Sequence, residues 1–121
     1  MGFVMSRSRW HILRSEGALT LCRQTPPRFD VSARTTLPAA DPLRVAHQVR
    51  QDLWRSLQDL RGFSPVVQVV TGADGIEVTA GGRLTTRAPA NITDKISTVL
   101  EDPAKRHRWV QRAQVRQGQT S

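Results

Sequence analysis

Residues 41–62, with the sequence DPLRVAHQVRQDLWRSLQDLRG, decide the fold of this chain. Asp41 can accept a hydrogen bond from a free backbone N–H at a helix start. Pro42 fits the first helical position, because the donor that it lacks would have no partner there. Gly62 is the residue type that ends a helix in the left-handed conformation. The segment therefore predicts a helix over about residues 42–61.

Apolar residues recur along this predicted helix at the spacing of a single face, at about 100° per residue. The members of that face are Ala46, Val49, Leu53, Leu57 and Leu60, with Val45 at one margin and Leu43 and Trp54 at the other. The residues predicted to face water on the opposite side are Gln48, Asp52, Arg55 and Asp59. A helix with one such face must pack its apolar side on another part of the chain.

Alternation of apolar and polar residues predicts strands on both sides of the helix. Residues 28–38 alternate with a period of two, as in a strand with one buried face. Residues 66–71 and 76–80 are strand-like segments on either side of the turn-forming sequence Gly72-Ala73-Asp74-Gly75. The apolar pairs of the first of them, VVQVV, point to both sheet faces, which predicts a central or covered strand.

Two further turns are predicted from glycine. Gly81-Gly82 tolerates positive φ and predicts a second hairpin turn, followed by a third strand over residues 83–87. The result would be a three-strand meander. Near the N-terminus, short strand-like runs at residues 10–14 and 18–23 flank Ser15-Glu16-Gly17 and predict a hairpin.

Helical signals return after the meander. Pro89 begins a stretch with helically spaced apolar residues, and Asp102-Pro103 repeats the capping signal to predict a third helix over about residues 103–114. The sequence thus predicts a small, single α+β domain, a mostly antiparallel sheet with two to three helices on one face. Residues 28–114 would form this domain. A basic N-terminal arm over residues 1–27, which includes the predicted hairpin, would precede it, and a frayed polar tail over residues 115–121 would follow it.

Positive charge is concentrated at the two ends. The chain has 121 residues and a formal net charge of +8; residues 1–28 carry +4 and residues 103–121 carry +5, whereas residues 29–102 carry −1. Such an excess favours an anionic partner, such as nucleic acid or a membrane surface. An arginine-rich genome composition would also raise the total, but it does not explain why acids are sparse at the ends.

Several classes of function lack their residues. A single cysteine, Cys22, makes neither an intramolecular disulfide nor a multi-cysteine zinc site, and the three histidines lie far apart in the sequence. The phosphate-binding motif G-x-x-x-x-G-K-[ST] does not occur. We therefore expect no enzyme activity, catalytic residues, cofactor or metal, and we identify no small-molecule substrate.

No apolar run is long enough to span a bilayer, and residues 1–14 lack the apolar core of a secretory signal. On this basis we expect a soluble, cytoplasmic protein.

The margin of the predicted first helix carries a candidate binding surface. Its members are His47, Arg50, Trp54 and Arg61. Arg50 and Trp54 are four residues apart and could stack as a cation–π pair. Basic side chains could bind the phosphates of a nucleic acid, and an exposed aromatic ring between them could stack on a nucleobase. In the alternative interpretation, Trp54 covers the edge of the core and the aliphatic part of Arg50 lies over it.

The C-terminal basic run is the second candidate. Its members are Lys105, Arg106, Arg108, Trp109, Arg112 and Arg116. This run is either a basic recognition helix or a solvated terminal helix whose Trp109 docks on the domain.

Two functions follow from these surfaces. The first is a non-enzymatic small basic module that contacts nucleic acid or a ribonucleoprotein through its basic ends, with affinity from phosphate neutralisation. The alternative is an accessory protein–protein interaction subunit or homo-oligomer, in which the ends add solubility and electrostatic steering.

Overall fold

The computed structural model describes residues 10–114. Its elements are β1 (His11–Ser15), β2 (Ala18–Cys22), β3 (Val31–Leu37), α1 (Pro42–Ser56), β4 (Phe63–Thr71), β5 (Ile76–Leu84), α2 (Ile92–Glu101) and α3 (Pro103–Arg112). The five strands form one antiparallel sheet in the order β1-β2-β4-β5-β3, and the helices pack against it. The predicted α+β class is confirmed.

The first two strands form a hairpin with Ser15 paired to Ala18, and Gly17 adopts a positive φ of 68° in its turn. β2 also pairs along its length with β4. Residues 18–22 of the predicted N-terminal arm are therefore an inner strand of the sheet. β4 is the central strand of the five, as its apolar residues on both faces predicted.

The predicted turn at Gly81-Gly82 is wrong. β5 runs without interruption from Ile76 to Leu84, and no separate strand follows at residues 83–87. The two glycines serve close packing between strands instead. A Cβ on Gly81 would clash with the carbonyl oxygen of Val31 in β3, and one on Gly82 would clash with the carbonyl oxygen of Ser64 in β4.

α1 begins as predicted, since the Asp41 carboxylate accepts a hydrogen bond from the Arg44 backbone N–H at 2.9 Å. Its predicted end is wrong, because the helix ends at Ser56 and not near Gly62. The chain turns back after Leu57, and the Leu60 backbone N–H donates to the Leu57 carbonyl at 2.9 Å. Leu60 thereby packs against the core, and Gly62, with a φ of 73°, directly precedes β4.

The two C-terminal helices lie close to their predicted positions. α2 begins at Ile92, a little after Pro89. Asp102 caps α3 by accepting from the backbone N–H groups of Ala104 at 2.9 Å and Lys105 at 3.2 Å. α3 ends at Arg112.

The core lies between the sheet and the helices. Val45, Val49 and Leu53 of α1 are fully buried there, opposite buried residues of β4 and β5 such as Val67 and Val78. Within residues 10–114, no helix is long and apolar enough to cross a membrane.

Candidate nucleic-acid interface

Most basic side chains of the C-terminal run form ion pairs or hydrogen bonds with other groups of this chain. Lys105 pairs with the Asp102 carboxylate at 3.2 Å. Arg106 donates to the carbonyl oxygens of Leu100 at 3.0 Å and Thr36 at 2.7 Å, and so ties α3 to α2 and β3. The Arg106 guanidinium therefore helps to hold α3 on the domain, whereas the Lys105 ammonium pairs locally with the N-cap of its own helix.

The rest of this run divides among three environments. Trp109 is fully buried, so it forms part of the core and offers no surface for stacking; it docks on the domain as the second interpretation of this run proposed. Arg112 is exposed at the end of α3. Arg116 lies outside the described residues.

Asp52 is buried, which contradicts the prediction that it faces water. Asp52 is only 4% exposed to solvent, because α3 covers this side of α1. Its carboxylate accepts a hydrogen bond from Trp109 Nε1 at 2.7 Å and pairs with Arg108. On the turn before, the Gln48 side chain donates to the Trp109 carbonyl at 3.0 Å. The part of the polar side of α1 that carries Gln48 and Asp52 is thus an interface with α3.

The margin of α1 predicted from the sequence has a different partner. The Arg50 guanidinium carbon lies 4.6 Å from the ring centroid of Trp10, the residue directly before β1. Arg50 therefore stacks on Trp10, and the Arg50–Trp54 stack that one of the two interpretations offered does not form. Trp54, one turn further along α1, keeps 46% of its exposure, and Arg61 is exposed just before Gly62.

A second guanidinium shares the same ring. Arg23, which follows β2, lies 5.5 Å from the Trp10 centroid. We name Trp10, Arg23 and Arg50 the Trp10 cluster. Cation–π contacts of this kind hold a guanidinium by its face and leave its N–H edge available to an acceptor. Arg50 Nε is itself buried without a hydrogen-bond partner among the described residues.

The pKa shifts around the cluster reflect burial and crowded positive charge. Burial lowers the pKa of Arg50, and the nearby charge of Arg23 lowers it further. Burial also lowers the pKa of His47, one turn away, with a further contribution from Arg50. An anion placed here would relieve the repulsion between these groups.

A cleft of about 930 Å³ adjoins the cluster at the ends of β1, β2 and β4; we call it the strand-end cleft. Its apolar lining residues are Trp10, Ile12 and Phe63, and its cationic or titratable ones are His11, Arg23 and Arg83. The remaining lining is polar or glycine, from Gln24, Gly62, Ser64 and Thr85. No carboxylate occurs among these ten residues.

The single cysteine and the residue types that bind metals can each be placed in the described part of the chain. Cys22 is fully buried, and burial raises the pKa of its thiol despite the smaller opposing effect of Arg83. A thiol in this state is a poor nucleophile. Across residues 10–114, no group of three or more His, Cys, Asp or Glu side chains is placed to hold a metal ion.

No family model, curated protein or solved structure matches this chain. The candidate interface consequently depends on geometry and charge alone.

Sequence reasoning found one side of the Trp10 cluster and missed the other. The pattern of α1 selected Arg50, but Trp10 and Arg23 belong to the N-terminal hairpin and lie 40 and 27 positions away in the sequence. The available signal was that Trp10 is the first residue and Arg23 the last residue of the two predicted strands of one hairpin, which places them side by side.

Proposed function

We propose that this protein is a non-enzymatic module that binds single-stranded nucleic acid at the Trp10 cluster and the neighbouring end of α1. The observation that carries the proposal is the pair of guanidinium groups on one indole, 4.6 and 5.5 Å from its centroid, with the exposed ring of Trp54 one turn away. Arginines beside aromatic rings are what single-strand binders use to contact phosphates and to stack bases.

The location of charge supports this surface over the C-terminal run. Lys105, Arg106 and Arg108 each face a carboxylate within 4.0 Å, whereas the ion pairs found among residues 10–114 include neither Arg23 nor Arg50. A phosphate approaching the Trp10 cluster therefore does not have to displace an internal carboxylate.

A single strand suits this surface better than a duplex. The exposed aromatic ring and the adjoining cleft offer an apolar face and a concave surface, and an unpaired strand can present its bases to both. A duplex keeps its bases stacked and would contact only the cationic groups.

The direct test is fluorescence anisotropy with a labelled single-stranded RNA and DNA of mixed sequence, titrated at increasing salt. We expect Trp54→Ala to weaken binding by about 1–3 kcal/mol, the range for loss of one base–aromatic contact. We expect Arg50→Gln to flatten the log–log salt dependence by about 0.7 if it neutralises one phosphate of a single strand.

Arg44→Gln is the matched control for charge. Arg44 is an exposed arginine of the same helix. The first residue of α1, Pro42, borders a groove with the hairpin turn, at the opposite end of the sheet from the cleft. We expect this variant to retain most of the affinity. If the wild-type protein binds neither RNA nor DNA at about 50 mM salt, where electrostatic binding is strong, the proposal is refuted.

A specific observation favours a second candidate, the accessory subunit or homo-oligomer. β1 is an edge strand whose five residues are all exposed. Ile12 and Leu13, which lie on opposite faces of the sheet, are 41% and 39% exposed to solvent. An open edge leaves backbone groups that can pair with another chain. Self-association in sedimentation velocity at increasing protein concentration, abolished by Ile12→Lys, would support this candidate; a monomer at every concentration would remove self-pairing from it.

A further inference from the structure

We propose that the strand-end cleft binds one nucleotide unit, with its phosphate at Arg83 and its base against Phe63. This inference rests on the proposed function and extends it, because it adds a defined subsite that shares Trp10 and Arg23 with the Trp10 cluster. The chemistry is that of a phosphate attached to a planar, partly apolar ring, and either a free nucleotide or one unit of a strand supplies it.

The size and shape of the cleft fit such a ligand. Its volume of about 930 Å³ lies within the range of small-molecule sites, about 300–1,000 Å³. The cleft is formed by chain segments that enter and leave the strands. Gly62 makes the close approach possible on one side, since a Cβ there would clash with Thr85 Oγ1 and its φ is 73°.

The cationic side of the cleft has an anchored arginine. One terminal nitrogen of Arg83 donates to the Pro26 carbonyl at 2.9 Å, which fixes the guanidinium and leaves its other N–H groups available. Hydrogen bonds from the Arg28 side chain and the Leu84 backbone N–H lower the pKa of the nearby Asp30 carboxyl, and the charge of Arg83 adds only a smaller effect. Arg83 therefore contributes positive charge to a lining without carboxylates.

The remaining lining supplies both kinds of surface that a nucleotide requires. Phe63 and Ile12 supply apolar surface for a base, while Ser64 and Thr85 supply hydroxyl groups for sugar or phosphate oxygens. Phe63 is only partly buried against the core, so part of its ring remains available. Apolar surface combined with convergent polar groups is typical of a ligand site.

The closing experiment records NMR spectra of the ¹⁵N-labelled protein during titration with adenosine 5′-monophosphate, uridine 5′-monophosphate and inorganic phosphate separately. We expect shifts at the backbone amides of Gly62, Ser64 and Thr85 with each nucleotide. We also expect at least about fivefold weaker binding of inorganic phosphate, because the base contact is missing. Equal affinity for phosphate and nucleotides would overturn the assignment of a nucleotide site.

Two variants test the cleft in the strand-binding assay. We expect Arg83→Gln to weaken binding of the single-stranded oligonucleotide about five- to twentyfold, as for loss of one charge-assisted hydrogen bond at a partly exposed site. Because Arg83 also anchors the segment around Pro26, Thr85→Val provides a second test at an exposed position with unchanged shape. We expect a loss of about two- to fivefold from the missing hydroxyl contact.

The results separate this inference from the proposed function. Strand binding that depends on Trp54 but not on Arg83 or Thr85, with no nucleotide shifts in the cleft, would overturn the nucleotide subsite alone. Nucleotide shifts in the cleft without any strand binding would overturn the proposed function and leave a site for free nucleotides. Arg44→Gln again controls for net charge in both assays.

Discussion

Replacing Asp52 by alanine tests the buried contact between α1 and α3. The substitution removes the acceptor of the hydrogen bond from Trp109 Nε1, measured at 2.7 Å, and the partner of Arg108. A hydrogen bond to a charged group contributes about 1.5–3 kcal/mol, and a buried donor left without a partner loses a similar amount. The Arg108 side chain is 37% exposed, so its ion pair adds only about 0–1 kcal/mol.

We therefore expect Asp52→Ala to lower the free energy of unfolding by about 2–4 kcal/mol. For a domain of this size, each kcal/mol lowers Tm by about 4 °C. Urea unfolding followed by circular dichroism measures this change in free energy as a shift of the urea midpoint, provided that the slope m of free energy against urea concentration stays constant. Asp59→Ala is the control, because Asp59 is exposed in the turn after α1 and should change stability by less than about 0.5 kcal/mol.

A double-mutant cycle with Trp109→Phe isolates the hydrogen bond, since phenylalanine keeps an aromatic ring without the N–H. We expect the two effects to be non-additive by about 1 kcal/mol or more. A loss for Asp52→Ala no larger than that of Asp59→Ala, or strict additivity in the cycle, would refute the reasoning.

Three further predictions concern the core, the sheet and pH. Leu53 is fully buried, and Leu53→Ala should cost about 2–5 kcal/mol in urea unfolding; an unchanged midpoint would contradict its place in the core. Gly81→Ala should cost at least about 1–3 kcal/mol, because the new Cβ meets the Val31 carbonyl, and a neutral effect would contradict the close approach of β3 and β5. Burial and Arg50 lower the pKa of His47, so the folded state binds fewer protons than the unfolded state, and stability should fall as pH drops through the unfolded pKa of about 6.5 toward the lower folded value. Thermal melts between pH 8 and 5 should show a smaller decline for His47→Gln than for the wild type, and equal declines would contradict the assignment to His47.

The sequence by itself determined the features that depend on neighbouring residues. Asp41 and Asp102 each cap a helix because the acceptor and the free N–H groups lie within three positions of one another. The apolar face of α1 and the central position of β4 follow from the periodicity of helix and strand. These signals were sufficient for the α+β class and for selecting Arg50 and Trp54 as candidate site residues.

Tertiary structure decided which segments meet, and with them most of the candidate site. Periodicity places Asp52 and Gln48 opposite the apolar face, but only the packing of α3 determines that this side is covered. Gly81-Gly82 fits a turn as well as a strand, and the choice depends on the strands on either side of β5. Likewise, the sequence offered Trp54, four residues away, as a ring on which Arg50 could stack, but the sheet brings Trp10 of the N-terminal hairpin to Arg50 instead. In each case the local pattern allows more than one partner, and the competition is settled by contacts between distant segments whose relative positions exist only once the sheet has formed.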